Sequence, residues 1–378
     1  MSKRPTVYDV ARLAGVSTAT VSFTYSKPER VRPDTRAQVL AAADQIGYVP
    51  RASARDLARG RTGALGLHAF DFLLETPGGG RTPSLGPDLV TPDASGVARI
   101  AWEDGYDDRM SDPRAFPLYV DEVQRGFELE CWRAGRALLL SSGTDPRIDL
   151  TESAGRVDGL AVFPGDVSLA ALEQVARRIP IVLLSRHDEG LPCNRVLVDN
   201  ASGMRQVLEH LLVEHRTRSI GYVGSLAVAD FAERFEALRS GAERAGIAAP
   251  VVLDDSDASD GRPLSMLIDL ASTGRLPEAL VCGSDQVALQ ALDTLAELGV
   301  DVPGDVLVTG FDGVLAGRLS NPTLTTVRQP MEAMGRLAAR LLVDHSADAP
   351  FATYRLEPRL LPRGSCGCGA PARALRRD

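Results

Sequence analysis

VYDVARLAGVSTATVSFTYS, residues 7–26, decides how the chain begins. Small and apolar residues recur there at helical spacing, break at Ala14-Gly15-Val16-Ser17 and then resume. Thr6 is placed to cap the first helix, with Asp9 three residues on where a capping box sets its acid. Gly15 accepts the positive φ that closes a helix, and Ser17 is placed to cap a second. Two short helices joined by a tight turn predict a helix-turn-helix, whose second helix fits a DNA major groove. Pro33 suits the first position of a third helix running through VLAAADQIGY. The expected core of the three is Val10, Leu13, Val21, Leu40 and Ile46.

The charge divides at the same place. Residues 1–61 hold eleven Lys and Arg against five Asp and Glu, while the chain's net charge is -8, so the remainder carries −14. A basic front on an acidic remainder predicts that the front meets a polyanion. A chain of 378 residues suits two or three domains, and 44% hydrophobic with 24% charged residues is the composition of a soluble globular protein. No apolar run is long enough for a membrane span, and MSKRPTVYDV lacks the apolar core of a secretion signal. Five cysteines, an odd count, read as free thiols of a reducing compartment, so the expected location is cytoplasmic, at the nucleoid.

From Gly63 the texture changes to short apolar runs, each followed by an amphipathic stretch. Candidate strands are ALGLHAF (64–70), RALLLSS (136–142), GLAVFP (159–164), IVLLSR (181–186), RVLVDN (195–200), SIGYVGS (219–225), ALVCGS (279–284) and VLVTGF (306–311). Strands alternating with helices imply α/β, doubly wound parallel sheets covered by helices, with ligands at the carboxyl ends of the strands.

YDVARLAGVSTATVS followed by VRPDTRAQVLAAADQIGYVP resembles the DNA-binding head of the lac-repressor (LacI/GalR) family of bacterial transcription regulators. PRASARDLARGRTG (50–63) resembles that family's hinge. VLVDNASGMRQVLEHLL (196–212), VPGDVLVTGFDG (302–313), LTTVRQPMEAMGRLAARLL (324–342) and RLEPRLLPRGS (355–365) follow its body. The resemblance implies an all-α head over residues 1–50, a hinge over 51–62, and a two-lobed, periplasmic-binding-protein-like body over 63–365 that binds an effector and dimerises. It implies a repressor acting as a homodimer on a pseudo-palindromic operator, released or engaged by a small, sugar-like effector between the lobes.

The same resemblance places DNA contacts at Thr6, Ser17, Thr18, Ala19, Thr20, Ser22, Phe23, Ser26 and Arg51, with Ala54 and Leu57 in the hinge and Leu57 as a minor-groove wedge. Phe23 stands where the family usually has an Arg, and Ser26 where it usually has an Asn. Phe cannot make the two-pronged Arg contact to guanine, so a nonstandard half-site is expected. For the effector the resemblance implies Arg234, Ser284 and Asp312, with Ser284 replacing the usual Asn; Arg186 and Asp199 are further candidates because they end or follow strands near the lobe crossover. Arg234 offers a rigid fork of donors and Asp312 accepts hydroxyl hydrogen bonds.

One block departs from the family. Residues 71–115, in the first strand-to-helix loop, carry nine acids and four Arg with eleven Gly plus Pro; the block reads either as a mobile, solvated excursion or as a cap on the cleft, with Trp102 and Tyr106 the candidates to stack on a ligand. No catalytic set assembles, and no cofactor is expected. Cys366-Gly367-Cys368 is half of a metal site with tight spacing, and His68, His187, His210, His215 and His345 show no ligand spacing. No metal is therefore expected, His210 and His215 read as helix-surface residues, and 366–378 reads as a flexible tail. A transport-type solute-binding protein would share the two-lobed body but not the basic head. A sugar- or nucleoside-processing enzyme would need the missing catalytic groups.

Overall fold

The computed structural model describes residues 5–26, 28–48, 61–69, 95, 97–98, 118–141, 146–163, 165, 167–186, 190–253, 264–346 and 348–368. The chain divides into two compact units, Met1–Gly63 and Ala64–Asp378. The hinge residues Arg51, Ala54 and Leu57 lie outside the described residues, as does all of 71–115 except Ser95, Val97 and Ala98.

The first unit holds α1 (Val7–Leu13), α2 (Thr18–Ser26), a 3-10 turn (Pro28–Arg30) and α3 (Pro33–Ile46). The Asp9 carboxylate accepts from the Thr6 N–H at 2.9 Å, the Thr6 hydroxyl at 2.7 Å and Arg12 at 2.8 Å. It satisfies donors that a helix start leaves unpaired. Ser17 accepts from the Thr20 N–H at 3.1 Å and caps α2. The core is Val10, Ala11, Ala14, Val21, Val39, Ala42 and Ala43, with Ile46 packed against it. This corrects the expected core at two places, since Leu13 is 46% and Leu40 36% exposed. The cause is size: four alanines let three short helices approach closely, and the buried arc turns toward them and away from the leucines.

The second unit is two stacked-layer lobes. Lobe 1 is built on β1 (Ala64–His68), β2 (Ala137–Ser141), β3 (Leu160–Val162), β4 (Ile181–Leu184), β5 (Asn194–Val198) and a late strand, β11 (Thr353–Leu356), in the order β11-β5-β4-β3-β1-β2, all parallel. Its helices are α4 (Leu118–Arg133), α5 (Pro146–Ala154), α6 (Leu169–Ala176) and α12 (Met331–Val343). Lobe 2 has β6 (Ile220–Val223), β7 (Val251–Leu253), β8 (Ala279–Cys282), β9 (Leu307–Asp312), β10 (Thr325–Arg328) and β12 (Arg359–Leu361), in the order β12-β10-β9-β8-β6-β7. Its helices are α7 (Asn200–Val213), α8 (Ala229–Ala245), α9 (Ser265–Ser272), α10 (Asp285–Glu297) and the short α11 (Leu315–Leu319). β12 pairs antiparallel with β10, so this sheet is not wholly parallel as expected. It can be, because the chain arrives from β11 by a two-residue step and not by a helical crossover.

The chain passes between lobes three times, after β5, after β10 and after β11. Each sheet has an apolar cluster on both faces, which is why its strands read as unbroken apolar runs. In lobe 1, α4 and α12 cross where Gly126 faces Glu332 and Gly335 faces Val123. A Cβ on Gly126 would meet the Glu332 carbonyl oxygen at 2.0 Å, so the two backbones touch where a side chain would otherwise stand. No described helix is long and apolar enough to cross a membrane.

Candidate functional site

Two surfaces follow from this fold. On the head, Ser17, Thr18 and Ala19 are exposed at the start of α2, while Thr20 and Ser22 are half-buried. Phe23 is 40% exposed, so its ring stands outside the head's core. Thr6 is committed to the Asp9 cap, and the Ser26 side chain lies outside the described residues. The exposed edge of α2 carries no acid, which leaves an uncharged, small-residue face able to approach a duplex closely.

In the body, polar groups from both lobes converge near the ends of strands. Arg234, on α8, is buried. It donates to Asn200 Oδ1 at 2.8 Å and to the Gly283 carbonyl oxygen, and stacks its guanidinium 3.8 Å from the Phe311 ring centroid. Asp312, the last residue of β9, lies 3.9 Å from it and accepts from Gln329 Nε2 at 2.7 Å. The amide of Asn200 donates to Asp230 at 2.8 Å and to Glu233 at 2.6 Å. From lobe 1, Tyr119 packs edge-on to Phe163 with centroids 5.8 Å apart, and its hydroxyl lies 3.2 Å from Ser185 Oγ. Burial, then the Asp230 carboxylate, push the Tyr119 hydroxyl above its ordinary range, with Asp312 adding to the effect.

Asp312 sits at φ 133, a conformation that costs a side-chain-bearing residue about 1–3 kcal/mol. Asp285 holds it there. Fully buried at the start of α10, it accepts from the Gly313 and Val314 N–H groups at 2.8 Å each and from the Thr326 hydroxyl. Asp285 thus fastens the turn that presents Asp312. Gln329, also buried, leaves its Oε1 without a hydrogen-bond partner among the described residues. A buried acceptor of that kind beside a carboxyl is a place for a ligand hydroxyl or a water.

Burial raises Asp312 to about 7, Arg234 opposes the rise and Asp285 adds to it. Burial likewise raises Asp285 to about 6, against the Thr326, Val314 and Gly313 hydrogen bonds. The folded chain holds a proton here that the unfolded chain, with an ordinary value of 3.8, has already lost. The resulting stability is fully present below about pH 4 and is lost as pH rises through about 7. We expect the melting point of the wild-type body to fall between pH 5 and pH 8, and the fall to shrink in Asp312→Asn. A fall of equal size in both proteins would show that Asp312 does not titrate in this way.

The other three expected effector residues do different work. Ser284 caps α10, accepting from the Val287 N–H at 3.2 Å, and Asp199 caps α7, accepting from the Ser202 N–H at 2.8 Å. Arg186 donates to the Val167 carbonyl oxygen at 2.7 Å, and His187 lies outside the described residues. Tyr119, Asn200, Asp230 and Gln329 were not foreseen. Gln329 directly follows Arg328, the end of β10, and Asn200 lies two residues past Val198, the end of β5, a signal that sequence could have yielded.

Comparison with known proteins bears on the head and the body separately. Residues 6–51 match the family described as bacterial regulatory proteins, lacI family, and residues 208–366 match a periplasmic binding protein-like domain. The chain is 28% identical over 378 residues to the HTH-type transcriptional repressor PurR of Proteus mirabilis, covering 96% of this chain and 97% of that one. It is similar to a transcriptional regulator CelR solved as a cellobiose complex, with TM-score 0.60, 26% identity and coverage of 96% and 100%. It shares its fold with a lac repressor dimer solved on operator with the anti-inducer ONPF, at TM-score 0.69, 22% identity and coverage of 96% and 99%.

A helix-turn-helix head on a two-lobed α/β body defines a DNA-binding transcriptional regulator with an effector-binding domain, and not an enzyme. Residues 6–51 form a DNA-binding domain of the lacI family of bacterial regulatory proteins, followed by a periplasmic binding protein-like domain.

Proposed function

We propose that this chain is a homodimeric repressor that reads a pseudo-palindromic operator with the exposed face of α2, and that a small hydroxyl-rich effector between its lobes sets operator affinity. Thr18, Ala19 and Phe23 face the bases, while Ser17, Thr20 and Ser22 hold phosphates. Phe23 selects a thymine methyl where an Arg would select guanine. A single head contacts few bases, so pairing two heads supplies affinity. The hinge residues Arg51, Ala54 and Leu57 complete the contact by resemblance. The chain acts where the chromosome is, in the cytoplasm.

The observation that carries the effector reading is the Arg234–Asp312–Gln329 cluster, buried near the lobe crossings. Carboxylate, guanidinium and amide suit hydroxyl groups, and the Tyr119 and Phe163 rings suit the apolar face of a sugar. The CelR relative, solved with cellobiose, supports a saccharide class. Two ion pairs link the lobes, Glu122 to Arg328 and Glu233 to Arg355 at 3.2 Å. All four side chains are partly exposed, so these pairs hold the present lobe arrangement only weakly. A ligand that binds one arrangement better than the other therefore shifts the balance. Selection of bound duplexes from a random pool, repeated with pooled sugars and nucleosides, tests this. The reading expects one symmetric motif whose recovery changes with one pool. A motif recovered equally with every pool would remove the effector from the account.

A further inference from the structure

The strongest unexplained cluster lies in lobe 2, away from the ligand groups. His210 and His215 meet Cys366 and Cys368 there, and one ligand atom from each lies within 4.8 Å of every other. We propose that these four side chains form a closed, tetrahedral site for a divalent zinc-like cation, which pins the end of the body to α7. No ligand set of this kind was legible in the sequence, because the two halves are more than 150 residues apart.

The fold builds the site from both ends. His210 stands in the last turn of α7, and His215 lies just past it, where the chain bends through Arg216 at φ 55. The two rings meet edge to face, with their Nε2 atoms 3.2 Å apart. The other half follows β12. Ser365 is fully buried; its hydroxyl accepts from the Thr325 N–H at 2.8 Å and donates to the Val308 carbonyl oxygen at 2.6 Å, joining β9 to β10. Cys366 closes a 3-10 turn (Gly364–Cys366) and is buried, so the segment read as a flexible tail is held in place through Cys368. Gly367, at φ 84, turns the chain so that both sulfurs face the histidines. The tight Cys-Gly-Cys spacing, which argued against a metal, is accommodated by this left-handed turn.

Four of the six ligand-to-ligand distances are close to those that a metal would set, and all six lie within 4.8 Å. Zinc bonds of ~2.0 Å to nitrogen and ~2.3 Å to sulfur in a tetrahedron require edges of about 3.3 Å between nitrogens and about 3.5 Å from nitrogen to sulfur. Here the nitrogens are 3.2 Å apart, His210 Nε2 is 3.4 Å from Cys366 Sγ and 3.7 Å from Cys368 Sγ, and His215 Nε2 is 3.3 Å from Cys368 Sγ. Hydrogen bonding explains these contacts less well: two neutral imidazoles and two thiols have few good donors for so many close pairs, and the Cys366 thiol also faces the Arg363 carbonyl oxygen at 3.4 Å. Two thiolates and two imidazoles would neutralise a divalent charge, and four protein ligands leave no open position, so the site is structural and not catalytic. The remaining cysteines, Cys131, Cys193 and Cys282, are buried elsewhere and belong to the apolar clusters.

The test uses the purified full chain, reduced and stripped by a chelator, and titrated with cobalt(II) chloride and then zinc chloride. We expect thiolate-to-cobalt charge-transfer absorption and tetrahedral ligand-field bands that saturate at one equivalent and disappear on adding zinc. Zinc should raise the melting point by mass action on the folded state. Cys368→Ser, at an exposed position, and His215→Ala should fold as judged by circular dichroism, yet weaken zinc binding at least about a hundredfold and lose its thermal effect. Three results would each overturn the proposal: no tetrahedral bands in the wild type, bands unchanged in both variants, or a Cys366–Cys368 disulfide that excludes metal in the reduced buffer.

Discussion

Arg234→Met is expected to destabilise the body by about 3–5 kcal/mol, the loss that follows when one member of a buried, hydrogen-bonded ion pair is removed. Methionine fills much of the same volume, so the loss is electrostatic and not a cavity. The guanidinium now serves Asn200, the Gly283 carbonyl oxygen and Asp312, and without it all three lie buried with one partner fewer. The loss should be larger at pH 8 than at pH 5, because at the lower pH Asp312 carries a proton and needs no counter-charge. Adding Asp312→Asn to Arg234→Met should recover part of the loss at pH 8. Thermal melts of the four proteins form a double-mutant cycle. Strict additivity would mean that the pair does not couple. Arg234 is therefore a residue that holds this buried part of lobe 2 together, and its removal should not be read as simple loss of a ligand contact.

Gly335→Ala is expected to cost about 3 kcal/mol or more, the upper range for inserting atoms into a packed core. Alanine in a helix ordinarily stabilises by roughly 0.5–1 kcal/mol relative to glycine, so the sign itself is the test. A Cβ on Gly335 would stand 1.9 Å from the Val123 carbonyl oxygen and 2.8 Å from the Phe127 backbone nitrogen. Both are backbone atoms of α4, and no side-chain rotamer can make room. α4 and α12 must separate, which loosens the cluster around Val123, Phe127, Met331 and Met334 that covers one face of the lobe 1 sheet. A melting point equal to or above that of the wild type would show that the helices do not cross this closely.

Much of this architecture is legible in the chain. All eight candidate strands are present, since strands buried on both faces leave apolar runs that need no phase to detect. β7, β10, β11 and β12 escaped for local reasons. β7 and β12 have three residues each, β10 reads TTVR, and the exposed face of β11 reads as polar. In the head, the helices are legible from their caps, while the choice between Ala11 and Leu13 for the core depends on how closely helices approach. Site residues divide in the same way. Arg234 and Asp312 stand out as strand-end or family positions and lie 3.9 Å apart. Tyr119 lies on a helix whose neighbours in sequence give no hint of its contact with Ser185. The pairing of His210 and His215 with Cys366 and Cys368 is a product of tertiary folding alone.

The central claim is that α2 reads duplex DNA. Its most direct test is the affinity of the full chain for a selected duplex as salt is raised, measured for the wild type and for a variant carrying Thr18→Glu and Ala19→Glu. Counterion release predicts that the logarithm of the wild-type affinity falls linearly with the logarithm of salt. Two carboxylates on the exposed edge of α2 should abolish preference for the selected sequence while leaving the body's melting transition unchanged. A wild type that ignores every duplex in dilute salt, or a variant that retains the same preference, would contradict the account.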